Sequence, residues 1–359
     1  MDVTSDIILD GPPAGLGLVA DLVNRRIDEL FQFEAARWQE VDSELKVPFD
    51  ALFGMVNSGG KRLRPAFCYF AFVGCGGDPS ADLVIDAGAA LELLHTFALI
   101  HDDIMDGSHT RRGATTVHRS FMEMHQSAKL KGESRRFGEG VGILIGDLAF
   151  VYADSLLEAA PLRTRKIFSE LRLEVNVGQY LDILGTAKSM PSIELAEKVC
   201  IYKSGKYTVE RPLHVGASLA NCSDTILEQL SSFGMPLGEA FQLKDDLLGA
   251  FGDSDIIGKP VGDDLREGKP TSLVALTLDR AVGSQRDAFV DLFSRECHDE
   301  EDLAKMLEII ESTGAKESVE QRVDELVDRS IAALSRTDLD AVAKTQLGEL
   351  AFFVASRSL

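Results

Sequence analysis

Two groups of aspartates have the residue type and spacing to do chemistry. Asp102, Asp103 and Asp106 follow an apolar stretch at 83–100, and Asp245 and Asp246 follow Phe241-Gln242. On a helix, residues 102 and 106 share one face about one turn apart. Like charges at that spacing destabilise a bare helix, and acids at a helix C-terminus oppose its dipole. A cation between them removes both costs. An oxygen-only donor set suits Mg²⁺, which keeps waters and bridges phosphates. The competing reading is a solvated, frayed last turn. Two such groups on facing helices would instead form two walls of one metal-lined cavity, a common way for helix bundles to build sites.

The cations cluster as well. Gly59-Gly60-Lys61-Arg62-Leu63-Arg64-Pro65 combines two glycines, which let backbone approach an anion, with Lys61 and Arg64 three apart. Without a ligand it reads as a turn that starts a helix. Arg111-Arg112-Gly113 begins five residues after Asp106. Adjacent arginines on a turning segment point to opposite sides and so can serve two anions. Lys203 and Lys206 form a third set with Lys259 and Lys269, and the last two lie in a Gly-rich loop able to close over a phosphate. Aspartates cannot bind a diphosphate directly. With Mg²⁺ between them they can, and Lys and Arg complete the neutralisation.

The elements that must position these residues read as helices. Apolar residues recur at helical spacing in 19–44, 81–105, 139–159, 163–185, 192–209, 211–221, 225–250, 271–294, 300–312, 315–335 and 338–356, and no convincing strand alternation occurs. The expectation is all-α. Residues 1–18 read as a flexible arm before a single domain at 19–359, with an exposed loop at 125–140 and a lid loop at 252–272. The 359 residues carry 37 Lys+Arg against 58 Asp+Glu, a formal charge of −21. That charge argues against nucleic acid or anionic lipid as the partner. Five cysteines, Cys68, Cys75, Cys200, Cys222 and Cys297, show no CxxC spacing and read as reduced thiols. No signal-peptide pattern or run of 18 apolar residues occurs, so a cytoplasmic protein without stable membrane insertion is expected.

In order, GGKRLRP at 59–65, HDDIMDGSHTRRG at 101–113, GD at 146–147, GQYLD at 178–182, YKSGKYT at 202–208, FQLKDD at 241–246 and GKP…DDL…GK at 258–269 resemble the trans-isoprenyl diphosphate synthases. The ordered set covers about 210 residues and is far more specific than any single block. The resemblance implies a helical bundle of the isoprenoid-synthase type around a central apolar cavity, with the two Asp-rich helices facing. It also implies a homodimer and roughly three Mg²⁺ ions per site, acting by charge stabilisation. Isopentenyl diphosphate would be joined to allylic diphosphates by ionisation, addition and proton loss. Asp102, Asp103 and Asp106 would hold metal on one side, Asp245 and Asp246 on the other. Arg111, Lys203 and Lys259 would contact the allylic diphosphate, with Gln242 lining that site and Lys269 in the closing loop. Lys61, Arg64, His95 and Arg112 would hold the diphosphate of isopentenyl diphosphate. Ser204, Tyr207 and Phe241 would line the reacting centre. His118, Asp147, Gln179 and Asp182 also match family positions and read as structural or supporting residues.

The chain departs from the family at one point. Its second acidic motif reads Asp245-Asp246-Leu247-Leu248-Gly249, so the last aspartate of Asp-Asp-x-x-Asp is missing. For product length, Phe97 sits five and Ala98 four before Asp102. One aromatic with a small neighbour resembles the pattern for a C20 product, geranylgeranyl diphosphate. The alternatives are the same chemistry ending at C15 or at a longer chain, a catalytically silent regulatory subunit, a terpene cyclase, or a metal phosphohydrolase built on His101-Asp102.

Overall fold

The computed structural model describes residues 11–188, 191–252, 262–295 and 298–355. Its order is α1 (Ala14–Gln39), α2 (Lys46–Asn57), α3 (Leu63–Gly74), α4 (Asp82–Met105), a two-residue antiparallel ribbon of β1 (Thr110–Arg111) and β2 (Ala114–Thr115), α5 (Val117–Ser127), α6 (Ser134–Ser155), α7 (Leu162–Lys188), α8 (Ile193–Val199), a π-helical segment (Cys200–Glu210), α9 (Arg211–Leu219) and α10 (Asp224–Phe251). Then follow α11 (Asp263–Arg266), α12 (Ser272–Arg280), α13 (Gly283–Phe293), α14 (Glu300–Ser312), α15 (Ala315–Ser335) and α16 (Ala341–Ala355). The all-α expectation holds.

Several boundaries moved. Residues 14–18 are helical and Leu16 is buried, so most of the described part of the expected arm belongs to α1. The loop read at 125–140 shrinks to 128–133, because α5 runs to Ser127 and α6 starts at Ser134. The rest of its polar and glycine residues lie on helices. Gly138 is one of them, and a Cβ on it would meet the His118 carbonyl oxygen at 2.2 Å, so it marks a close helix crossing rather than a turn. The single helix read at 271–294 is two, α12 and α13, parted at Ala281 and Val282.

α4 is the central element. Its buried face runs from Val84 through Leu91, Leu93 and Leu94 to Ile100, and it packs on α1, α3 and α6. By length and composition it could cross a membrane, yet most of it is buried inside the bundle. One apolar core joins α1–α7, α9 and the first part of α10. A second joins the latter part of α10 to α12–α15. α10 belongs to both, packing along α15 on one side and the π-helical segment on another.

Two backbone crossings set the site. A Cβ on Gly178 of α7 would lie 2.3 Å from the Lys203 nitrogen, and one on Gly238 of α10 would lie 2.4 Å from the Gly205 carbonyl oxygen. Any side chain at either position would push these backbones apart. The π-helical segment is therefore held between α7 and α10. Such widened turns are frequent at functional sites because they re-aim side chains.

Candidate active site

The first acidic group closes α4. Asp103 is buried, and Asp106 caps the helix. Asp102 Oδ1 accepts hydrogen bonds from Gln179 Nε2 at 2.8 Å and from Lys203 Nζ at 3.2 Å. Lys203 also reaches Asp182 Oδ2 at 2.5 Å. Arg111, on β1, donates from Nε to Asp103 Oδ1 at 2.6 Å and approaches Asp102 Oδ2 at 3.5 Å. Burial alone would raise the Asp102 carboxyl, but Lys203, Lys269 and Arg111 bring it down to about 2. Asp106 goes the other way, raised by burial and then by the Asp102 charge. The two carboxylates share a face as their spacing predicts, and their repulsion is expressed as this split.

The second acidic group lies on α10. Asp246 is buried and accepts from Gln242 Nε2 at 2.7 Å. Burial, with Asp264 and Asp245 adding negative charge, pushes its carboxyl up to about 8. Lys269 joins the two walls. Its Nζ lies 3.0 Å from Asp106 Oδ2, 3.5 Å from Asp264 Oδ1 and 2.9 Å from Glu267 Oε2. Although buried, Lys269 is raised above the ordinary lysine range by those three carboxylates. A cavity of about 100 Å³ beside the second wall is lined by Lys203, Ser204, Gln242, Asp246, Asp264 and Lys269, among others. Lys259 lies outside the described residues.

A cationic group sits beside the first wall. The chain turns at Arg62, whose φ is +50°, and α3 begins. Arg62 is buried and donates to Glu92 Oε1 at 2.6 Å, Asn24 Oδ1 at 2.9 Å and the Val56 carbonyl at 2.9 Å. Arg64 donates to Thr208 Oγ1 at 2.9 Å, with its guanidinium 4.3 Å from the Tyr207 ring centre. Tyr207 Oη lies 3.2 Å from His95 Nδ1. Burial, and then the charges of Arg64, Arg112, Arg111 and Arg62, keep His95 well below the ordinary imidazole range, so it is neutral. Arg112, at φ +53°, turns away from Arg111 and places NH1 3.4 Å from Ser58 Oγ. The adjacent arginines thus meet different protein partners, Asp103 and Ser58. Lys61 lies with its Nζ 5.3 Å from the Phe353 ring centre, and Phe241 is half-buried against the core.

Below Asp102, the Phe97 ring packs against His101 at 4.6 Å and against Phe150 at 4.9 Å between ring centres, tilted by 59° and 57°. A small cavity of about 50 Å³ there is lined by Phe97, Ala98, Val175, Asn176 and Gln179, among others. Four residues acquire more than their sequence reading gave them. Gln179 and Asp182 bind Asp102 and Lys203 directly, and their i,i+3 spacing in GQYLD was the available signal. Asp264 enters the second wall, and Arg62 anchors the turn between Lys61 and Arg64. Both lie within matched blocks, at 258–269 and 59–65, although the reading gave neither a role. His118 is buried, and Asp147 is an exposed partner of His101 at 3.8 Å.

The donors suit a hard divalent cation. They are all carboxylate oxygens; burial first and neighbouring carboxylates second raise Asp106 and Asp246, and with Lys269 and Arg111 lying against them no three of the described acidic residues already converge as a metal cluster.

The model of the polyprenyl synthetase family matches residues 46–310. The chain is 33 % identical over 315 residues to a geranylfarnesyl diphosphate synthase of Aeropyrum pernix, covering 84 % of this chain and 92 % of that one. It is 30 % identical over 315 residues to a geranylgeranyl diphosphate synthase of Sulfolobus acidocaldarius, covering 84 % and 89 %. The crystal structure of a geranylgeranyl pyrophosphate synthase from Corynebacterium glutamicum, complexed with isoprenyl diphosphate and magnesium, superposes with a TM-score of 0.90 at 38 % identity, covering 95 % of this chain and 99 % of that one.

Proposed function

This chain belongs to the polyprenyl synthetase family and is a prenyltransferase, and we propose that it makes geranylgeranyl diphosphate in an Mg²⁺-dependent reaction between the acidic ends of α4 and α10. The observation that carries the reading is Lys269, which bridges Asp106 of one acidic wall and Asp264 of the other, so both walls face one space.

In this reading Asp102, Asp103 and Asp106 hold metal on one side, and Asp245 and Asp246 on the other. Mg²⁺ bound there neutralises charge growing on the departing diphosphate. Arg111, Lys203 and Lys259 contact the allylic diphosphate beside Gln242, and Lys269 closes the site. Lys61, Arg64, His95 and Arg112 hold the diphosphate of isopentenyl diphosphate, and a neutral His95 donates one N–H without adding charge. The allylic C–O bond breaks and its electron pair leaves with the diphosphate. The double bond of isopentenyl diphosphate attacks the cation, and the released diphosphate takes the proton, so no side chain has to act as base. Ser204, Tyr207 and Phe241 line the reacting centre and exclude water. The protein's contribution is position and a preorganised field.

The C20 length is supported by the Phe97 ring, braced by Phe150 beneath the Asp102 wall. The relatives named above differ in their products, geranylfarnesyl against geranylgeranyl. Incubation with labelled isopentenyl diphosphate, Mg²⁺ and each allylic starter, followed by sizing of the alcohols, tests both claims. A C20 alcohol supports the reading, and Phe97→Ala then yields longer products. A C15 product, or one longer than C20, from the native enzyme refutes the tunnel floor. No elongation with any starter favours a silent subunit or a cyclase.

A homodimer belongs to the same proposal. Leu144 and Val151 on α6, and Leu173, Val177 and Tyr180 on α7, are all more than half exposed at helical spacing. Such faces on an otherwise acidic chain suit a two-fold contact with a second copy. A cytoplasmic location accords with the acidic surface and the burial of α4.

A further inference from the structure

The π-helical segment and the first residue of α9 carry two pairs of residues five apart, and each pair points one way. Lys203 and Thr208 meet site residues, Asp102 and Arg64. Lys206 and Arg211 both meet Glu174 of α7. In an i→i+5 turn, residues five apart stand nearly one above the other, whereas at 3.6 residues per turn they would lie about 140° apart. Both pairings therefore need the widened register. Glu174 is buried and accepts three charge-assisted bonds, from Lys206 Nζ at 2.5 Å and from Arg211 Nε and Nη2 at 2.6 and 2.7 Å. Burial alone would raise its carboxyl, but Arg211 and Lys206 hold it below the ordinary carboxylate range. Glu174 shares one buried face of α7 with Gly178 and Asp182. That face grips the segment along its length, Gly178 against the Lys203 backbone, Asp182 on the Lys203 ammonium, and Glu174 on Lys206 and Arg211.

We propose that Glu174 is a positioning residue: by holding Lys206 and Arg211 together it fixes the widened register of the segment, and so keeps Lys203 turned to Asp102 and Thr208 turned to Arg64. A buried ion pair adds little net stability over an apolar substitute, so the consequence of this one is the register it specifies. Pro212 loosens the helical ladder here, since it has no N–H to give the Thr208 carbonyl. Without the clamp the segment is free to return to 3.6 residues per turn, which swings Lys203 and Thr208 apart and takes one or both off the site. Glu174 acts only through the residues it aims. The inference rests on the reading of Lys203 and Arg64 as substrate-binding groups.

The experiment measures kcat and both KM values of the full-length enzyme with an allylic diphosphate, isopentenyl diphosphate and Mg²⁺. Glu174→Gln is expected to lower kcat about tenfold or more, within the range for a group misplaced by a distant change, and to raise the KM for isopentenyl diphosphate about threefold. Two double-variant cycles separate aiming from general support. In a Lys203→Met background Glu174→Gln should change kcat less than about twofold, and in a Thr208→Val background it should change the KM for isopentenyl diphosphate less than about twofold, because in each case the aimed group is already lost. Lys206→Gln cuts one arm of the clamp and leaves Arg211 on Glu174. It should give the same non-additive pattern at smaller size, and it takes the place of Glu174→Gln should that variant not fold. Additive effects in either cycle, or a Glu174→Gln enzyme with native kcat, overturn the positioning role while leaving the site reading in place. If Lys203→Met alone leaves kcat unchanged, the reading of Lys203 falls and carries the proposal with it.

Discussion

Replacing Arg62 by Met should destabilise the protein and weaken isopentenyl diphosphate binding together. Arg62 and Glu92 side chains are only 4 % and 5 % exposed, and their atoms meet at 2.6 Å. Removing the guanidinium strands a buried carboxylate and leaves the Val56 carbonyl and Asn24 without their donor. Breaking a buried pair from one side costs about 3–5 kcal/mol. At about 2.1 cal/mol/K of unfolding entropy per residue, a chain of this length loses roughly 0.75 kcal/mol per degree, so the melting temperature should fall by about 4–7 °C. Urea titration and calorimetry measure the loss. Adding Glu92→Gln should recover about half of it, because the stranded charge is then gone. Arg62 also fixes the turn between Lys61 and Arg64, so the KM for isopentenyl diphosphate should rise about tenfold or more, with the allylic KM changing less, as expected when binding contacts are lost at one subsite. A loss below about 1 kcal/mol, or strictly additive single and double variants, would refute the reasoning that this pair anchors the turn.

Three further outcomes are expected. Lys203→Met removes the cation shared by Asp102 and Asp182, and should lower kcat about 10²-fold or more with the helical circular dichroism unchanged. In EDTA, Asp246 binds its proton in the folded protein up to about pH 8 and releases it near the ordinary carboxylate value when unfolded. The folded state therefore holds more protons across that window, and stability should fall as pH rises from about 4 to about 8. Asp246→Asn should flatten that slope in melting curves, and an unchanged slope would show that Asp246 is not its source. Leu144→Glu with Val177→Glu should convert the proposed dimer to monomer by light scattering, and a native protein that is monomeric at micromolar concentration removes that proposal.

The helical class was legible because apolar spacing is local, and most of the long helices lie where that spacing puts them. α2 and α5 were not read as helices, and α3 only as the helix that the turn at 59–65 would start. α3 is buried nearly all round, so it shows no alternating face. The π-helical turn at Cys200–Glu210 was also invisible, since its residues continue the ordinary helical pattern. Among site residues, the two aspartate groups, Arg111, Arg112, Arg64 and Lys203 stood out because charge in an apolar setting is conspicuous. Gln179 and Asp182 read as supporting residues, because their importance comes from facing Asp102 and Lys203 across a helix crossing.

The sequence alone determined that two acidic groups end apolar helices and that three cationic groups accompany them along the chain, since residue type and a 3.6-residue period are local properties. Tertiary structure decided which cation meets which acid. Lys203 reaches Asp102 only because Gly178 lets two backbones touch, and Asp264 reaches the second wall only because Gly249 leaves room and Gly262 docks α11. Such pairings depend on how closely distant segments pack. That distance is set by the summed volumes of many side chains and cannot be read from any one stretch of the chain.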